Sequence, residues 1–419
     1  STGTSAGVIK MSNGANDNII QYVNCRGVGV ANTQGGRVIE IAQSNPGPGG
    51  NNNNIIDHCI INGGRRGIQT FGTGGASGYS NDGTIIRNNK VKNSSSLGIF
   101  LGSETRDNLV EANEIFNDTV VTQDVSFRAI NIQSVGTANI LGNKIYNLNS
   151  TNSSTSYQGI TSANTLLTSP GSNTSSVNII NNMVSITDNH SNAPFIYGIN
   201  VGSNSVTANY TSNIYFNTVR LGGNSNSIST ISTGIQELFT GAHGADTCRI
   251  LNNVIINNRS GGNGTSLQIG VVLKPVSGVY LQENYNTISV TDPTNGWSAS
   301  YNDTLYLPPA ENNYNSAKSN TARICENPEE LEQVTAFDNV HLVSNTDLHL
   351  AGKIAGNMNG VPIQSVNTDI DGDSRSISSS NRFTYRGADE HRPVPGDSLW
   401  RKSIRTIKFA VQGTDLLDM

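Results

Sequence analysis

Two arginines stand side by side at the end of "DHCIINGGRRG", and their types could do chemistry. With His58 upstream and Lys90 beyond, Arg65 and Arg66 offer what uronate elimination needs: a basic group to take a proton and a cation to neutralise a carboxylate. Plain loop charges at a strand end are the structural alternative. Glycoside hydrolysis instead needs two carboxylates facing across a groove. Asp57, Asp82, Asp107, Glu111 and Glu114 are available, yet no Asp-Asp pair stands among them and "GAHGAD" around His243 lacks partners. A solvated surface accounts for these carboxylates. "DIDGD" sets Asp369, Asp371 and Asp373 around one glycine, a calcium-like spacing that lacks the bidentate glutamate of an EF-hand loop. An Asp-rich turn is the alternative. Tyr197, Tyr215, Tyr285, Trp297 and Tyr301 are candidates for stacking on sugar rings, with packing beneath loops as the competing role.

The elements that must position these residues are written in the composition. Only 14% of the 419 residues are charged, and Asn makes up about one residue in seven. Helix-surface residues are scarce and Asn and Gly interrupt every few positions, so short strands joined by polar turns are expected. The net charge of −5 is spread along the chain, which gives no basic stripe for phosphates and argues against nucleic acid as a partner. No apolar run is long enough to span a bilayer. Cys25, Cys59, Cys248 and Cys325 have no CxxC spacing, so buried free thiols are expected; a bridge between Cys25 and Cys59 is the alternative.

One unit recurs. Asn89, Asn113, Asn143, Asn182, Asn217, Asn253 and Asn286 share a column, and two residues on stand Val91, Ile115, Ile145, Val184, Val219, Ile255 and Ile288. Residues two apart in a strand share a face, so Asn and aliphatic point inward together. The residue between them (Lys90, Glu114, Lys144, Met183, Thr218, Val254, Thr287) varies as an outer, solvated or partly covered face would; Lys90, Glu114 and Lys144 suggest an ion ladder on that face. An aliphatic pair precedes each Asn and a small residue plus aliphatic follows, as in Gly98-Ile99 and Gly198-Ile199. Three short strands per unit bury a face only if units stack coil on coil with parallel pairing, which is a parallel β-helix. The Asn column then becomes a corner ladder whose amides bond along the axis. Val23 and Cys59 hold the ladder position in the first two coils, as atypical end repeats do. Polar stretches such as "LNSTNSSTSYQ" and "GGNSNSISTIST" read as corner loops. A short helix is expected near Pro328–Gln333, and "VHLVSNTDLHL" reads as a final alternating strand.

The units "NIYFNTVRLGG" and "NNVIINNRSGGNGT", with "SYNDTLY" and "TDIDGDSRS…YRGADE", resemble bacterial secreted right-handed parallel β-helix repeat proteins of the cell surface, over roughly residues 8 to 390. Tyr385-Arg386 stand where an aliphatic is usual before Gly387. The resemblance implies an all-β, right-handed solenoid of about nine to eleven coils with an Asn ladder and corner loops. Residues 1–300 then hold the repeats, 301–391 the last coils and closing segment, and 392–419 an extension or the start of a further module. The absence of a catalytic constellation over the repeat array, the low charge and the polar Ser/Thr/Asn loops lead to the expectation of a secreted, surface-attached stalk, adhesin or fibre subunit. Its expected partners are extracellular polysaccharide or another cell-surface component, and further copies of itself joined end to end through open strand edges. No cofactor is required, with calcium the one candidate ion. A polysaccharide lyase or glycoside hydrolase working in a groove beside Arg65, Arg66 and Lys90 is the alternative.

Overall fold

A computed structural model describes residues 7–27, 36–42, 50–72, 81–102, 105–133, 136–148, 155–164, 174–187, 193, 195–203, 209–225, 229–239, 246–263, 265–274, 276, 278–301, 303–306, 336, 337, 340–351, 358–375 and 384–390. The region expected to form a short helix, Cys325 and residues 392–419 lie outside these. The described chain is all-β. It winds through three parallel sheets in turn, adding one strand to each per coil, so that strands from coils above and below pair in register. Sheet I has eleven strands, beginning at Gly7–Met11 and ending with Gly296–Tyr301 and Thr304–Tyr306, the last folded back antiparallel. Sheet II has nine, from Ile19–Gln21 to Val279–Asn284, and sheet III has ten, from Asn24–Arg26 through Thr287–Val290 to Ala336–Phe337.

The ladder sits at the corner between sheets II and III. Each Asn Nδ2 donates to the Oδ1 of the next Asn at 2.9–3.0 Å, from Asn89 to Asn286. The same Oδ1 accepts the backbone N–H of the preceding rung at 2.8–3.0 Å. The second Nδ2 hydrogen reaches a carbonyl of the coil before, as Asn89 does to Ile56 and Asn182 to Ile140. Every polar atom of these buried amides is therefore used, which is the condition for burying them at all. The residue ahead of each rung adopts a left-handed backbone: Asn88, Ala112, Gly142, Asn181, Phe216, Asn252 and Tyr285, like His58 ahead of Cys59, all have φ of 51–60°. Most of these are not glycine, so the corner holds roughly 1 kcal/mol of strain per coil that the ladder offsets. A second, two-rung ladder of Asn51 and Asn81, unmarked by any repeat in the sequence, stands beside sheet I, the backbone N–H of Asn51 donating to Asn81 Oδ1 at 2.9 Å.

Inside, the aliphatics after each Asn are buried: Val91, Val184, Val219 and Ile255 are wholly inaccessible. They meet the small-residue column from the opposite sheet. A Cβ on Gly198 would lie 2.2 Å from Val219 Cγ1 and 2.5 Å from the Gly234 carbonyl, so the two recurring motifs are one packing constraint. Cys25, Cys59 and Cys248 are free and buried.

The described residues 340–351, 358–375 and 384–390 lie along the outside rather than continuing the coils. "VHLVSNTDLHL" is a tight reversal bridged at Leu342 and Leu350, not a further sheet strand, because its apolar residues cover the flank instead. Val366 packs on Tyr215, Phe216 and Leu251; Leu350 and Met358 on Val254 and Ile256; Leu348 and Ala388 on Met183. Arg386 is fully buried and donates to the Asn286 carbonyl at 2.8 Å and to Thr287 Oγ1 at 3.0 Å. The residue that replaces the usual aliphatic thus caps the last rung.

Asn182→Leu will strand the Asn143 amide, the Asn143 backbone N–H and the Ile140 carbonyl, and is expected to cost at least about 3 kcal/mol in urea denaturation. Cys59→Asn is expected to hold or raise stability. Its Sγ already lies 3.5 Å from the Ile20 carbonyl, where a ladder Nδ2 would donate, so the change adds a rung.

Candidate ligand-binding face

The residues singled out for chemistry do not converge. His58 sits on the ladder corner, its Nδ1 2.7 Å from Asp57, with its ring against Tyr22. Burial pushes the Asp57 carboxyl up, but hydrogen bonds from Asn88, His58 and Arg87 outweigh it and hold the group below its usual range. Arg65 turns to Asp124, at 3.0 Å, on the corner between sheets III and I. Arg66, the next residue, lies on sheet I and stacks over the Phe100 ring at 5.0 Å. Lys90 lies on the outer face of sheet III, 3.9 Å from Glu114. Side chains successive along a strand point apart, so the paired arginines never shared one groove. The expected ion ladder stops after Lys90–Glu114. Tyr146 donates to Glu114 at 2.8 Å, and Lys144 lies 3.9 Å from Asp371 of the returning segment.

Two of the three aspartates, Asp369 and Asp371, are engaged by donors of the protein itself. Asp369 Oδ1 accepts the backbone N–H groups of Asp371 and Asp373, at 2.9 and 2.8 Å, and its Oδ2 accepts that of Glu390 at 2.8 Å. Asp371 is taken by His349 Nε2 at 2.7 Å. Among the described residues no group of three or more His, Cys, Asp or Glu side chains is arranged to hold a metal ion. Backbone donors, His349 and Lys144 supply the positive partners that a cation would.

The aromatic candidates divide by depth. Tyr215 is covered by Val366, and Tyr285 and Tyr301 are buried, so these three serve packing. Tyr197 and Trp297 remain part-exposed on the outer face of sheet I. They belong to one register column, which runs Arg37, Arg66, Leu97, Arg128, Gln158, Tyr197, Thr233, Ile269, Trp297. At about 4.8 Å per coil this column is roughly 38 Å long. The shorter Leu97, Thr233 and Ile269 are buried between the planar side chains, which therefore stand proud of them. Burial lowers the Arg128 pKa and raises that of Tyr197, so these groups are already partly stripped of water. Phe195 stacks on Tyr197 with ring centres 6.1 Å apart and is itself exposed. Arg37, Arg128 and Gln158 carry no mark of a site in the sequence. Nothing in their spacing marks them, and the register alone brings them into line.

A cleft of about 540 Å3 opens at the corner between sheets III and I, bounded by Arg26, Asn62, Asn93, Ser95, Asp118 and Thr119. Its polar groups are largely satisfied by one another: Asn93 Nδ2 donates to Asn62 at 2.9 Å and to Asp118 at 2.7 Å, and Lys92 pairs with Asp118. No helix among the described residues is long and apolar enough to cross a membrane. No protein-family model, curated protein or solved structure matches the chain. The geometry shows a parallel β-solenoid.

Three titrating groups make pH a probe of distinct parts. His349 is held between Asp347 and Asp371, with Asp389 and Lys144 facing the same cluster. Burial pulls its pKa down, but the two aspartates win and raise it. Its stabilisation is therefore complete below the ordinary histidine value and lost as pH rises through the raised one. Asp347 works at the other end: burial raises its pKa, hydrogen bonds from His349 outweigh that and depress it, and its contribution is lost only as pH falls into the acid range. Glu237, wholly buried in the solenoid, is pushed up to about 7 by burial, so its contribution is also lost as pH rises, through about 7. Amide protection of Leu342, Leu350 and Met358, corrected for intrinsic rates, is expected to fall between pH ~6 and ~8. His349→Gln should flatten that local change and Glu237→Gln only the global one. Identical profiles in both variants would refute the assignment.

Proposed function

We propose that this chain is a non-catalytic extracellular scaffold of the β-helical surface-protein type, and that it binds a polysaccharide along the outer face of sheet I. The observation that carries the reading is the single register column of part-exposed Arg, Gln, Tyr and Trp side chains spaced by the coil repeat. An extended polymer presents hydroxyl groups and ring faces at regular intervals, and a straight row of planar donors and aromatic faces meets both. A rigid ladder-held backbone keeps that row in place before the ligand arrives, which lowers the ordering cost of binding. The separation of His58, Arg65, Arg66 and Lys90 onto different faces weighs against elimination or hydrolysis in one groove.

The test is co-sedimentation of the purified chain with insoluble neutral and acidic polysaccharides, with reducing ends and unsaturated products assayed in the same tubes. Retention without cleavage is expected, and Tyr197→Ala with Trp297→Ala should weaken it about 10-fold or more. New chain ends from the wild type, or retention that ignores both substitutions, would overturn the reading.

End-to-end pairing of copies is a second reading with its own observation. The first described coil leaves Val8, Ile19, Tyr22 and Val23 each more than a third exposed beside strand edges that no described strand pairs. Sedimentation velocity is expected to show particles that grow with concentration and revert to monomers with Ile19→Lys. A size independent of concentration would remove this reading.

A further inference from the structure

At its N-terminal side the sheet I row ends in a smaller cleft of about 400 Å3, bounded by Lys10, Arg37, Glu40, Arg66, Gln69 and Phe71. Lys10, Glu40 and Gln69 occupy one register column of successive coils, and Arg37 and Arg66 occupy the column beside it. Glu40 lies 3.1 Å from Arg37 Nε and 3.9 Å from Lys10 Nζ. Arg37 Nε also donates to Gln69 Oε1 at 3.1 Å, and Arg66 donates to the same oxygen. A neutral amide oxygen thus serves two guanidinium groups.

The charges do not balance. Lys10, Arg37 and Arg66 bring +3 and Glu40 brings −1, leaving +2 in a cleft of a chain whose net charge is −5. Glu40 is buried, and its Oε2 has no hydrogen-bond partner. Burial, with repulsion from Arg37 and then Arg65, pushes the Arg66 pKa down to about 10, against the pull of Glu40. Like charges held together half out of water stabilise a fold only when something of opposite sign joins them.

We infer that this cleft takes the anionic group, carboxylate or sulfate, of an acidic polysaccharide whose chain continues along the sheet I row. The inference rests on the glycan-binding reading of that face and names the class of glycan. Guanidinium forks match the two oxygens of such a group, while Lys10, half-exposed at the rim, adds a point charge. Phe71, part-exposed beside the cations, offers apolar surface to a sugar ring.

Calorimetry with polygalacturonate, its fully methyl-esterified form, dextran sulfate and dextran tests it, at about 50 and about 500 mM salt. The wild type is expected to bind an acidic polymer at least about 10-fold tighter than its neutral counterpart, less so at high salt, and the two acidic arms tell carboxylate from sulfate. Arg37→Gln and Arg66→Gln should each cost about 10-fold, and Lys10→Gln, at a rim position that does not endanger folding, several-fold. Equal affinity for charged and neutral polymers, or acidic binding indifferent to Lys10→Gln and Arg37→Gln, would overturn the inference while leaving the glycan-binding face intact. If no polymer binds, the functional reading falls, and the cleft is judged on galacturonate alone. A thermal shift given by galacturonate but not galactose, and lost in Lys10→Gln, upholds it; no such shift ends it.

Discussion

Everything in this molecule depends on the amide of one asparagine reaching the amide of the next. A coil of three short strands has no core of its own, and the chain must turn sharply between sheets II and III in a backbone conformation that side chains disfavour. The ladder resolves both demands. Each Asn donates twice and each beyond Asn89 accepts twice, so a bend that would leave carbonyls and N–H groups unpaired becomes a continuous hydrogen-bonded rail. Because rungs bond to rungs, coil spacing is held constant, and with it the register of all three sheets.

That rail needs ends. On the first side Cys59 takes the place of a rung, its backbone N–H donating to Asn89 Oδ1 at 2.9 Å. On the far side the missing acceptor is Glu283, to which Asn286 donates at 2.6 Å, and Arg386 covers the last carbonyl. The returning segment that delivers Arg386 also uses the strained corners as anchor points. Asn181 donates to the Thr368 carbonyl and Asn252 to that of Val361, each at 2.7 Å, while Arg375 lies 4.2 Å over the Phe216 ring. The corner is bare along the early coils and covered along the late ones. The outer face of sheet III changes accordingly, from Lys90, Glu114 and Lys144 to the buried Met183, Thr218 and Val254.

Constant register has a functional consequence. A solenoid repeats outward columns as faithfully as inward ones, so residues some thirty apart in sequence come to stand one strand spacing apart, as Arg37 and Arg66 do. A binding row can be assembled this way from residues that share no local motif. Its rigidity comes from the inward columns, and its chemistry from the outward ones that folding leaves free to vary.

The sequence by itself determined the all-β class, the parallel stacking, the ladder and the inward aliphatic column, because burial imposes a period of two and a saturated amide on every coil, and both leave repeated letters. Tyr197 and Trp297 are conspicuous as large aromatics, but their place in one outward column comes from the register. Only the tertiary structure decided that Tyr215 and Tyr301 are packing, that adjacent Arg65 and Arg66 face different ways, and that "DIDGD" is a turn closed by backbone donors. Only the structure placed Lys10 and Arg37 with Arg66, and laid Leu350, Met358 and Val366 over the flank. The reason is the same in each case. An outward side chain is not constrained by the core, so its neighbours are set by coil register and by which segment happens to cover it, and neither is written in the residues on either side.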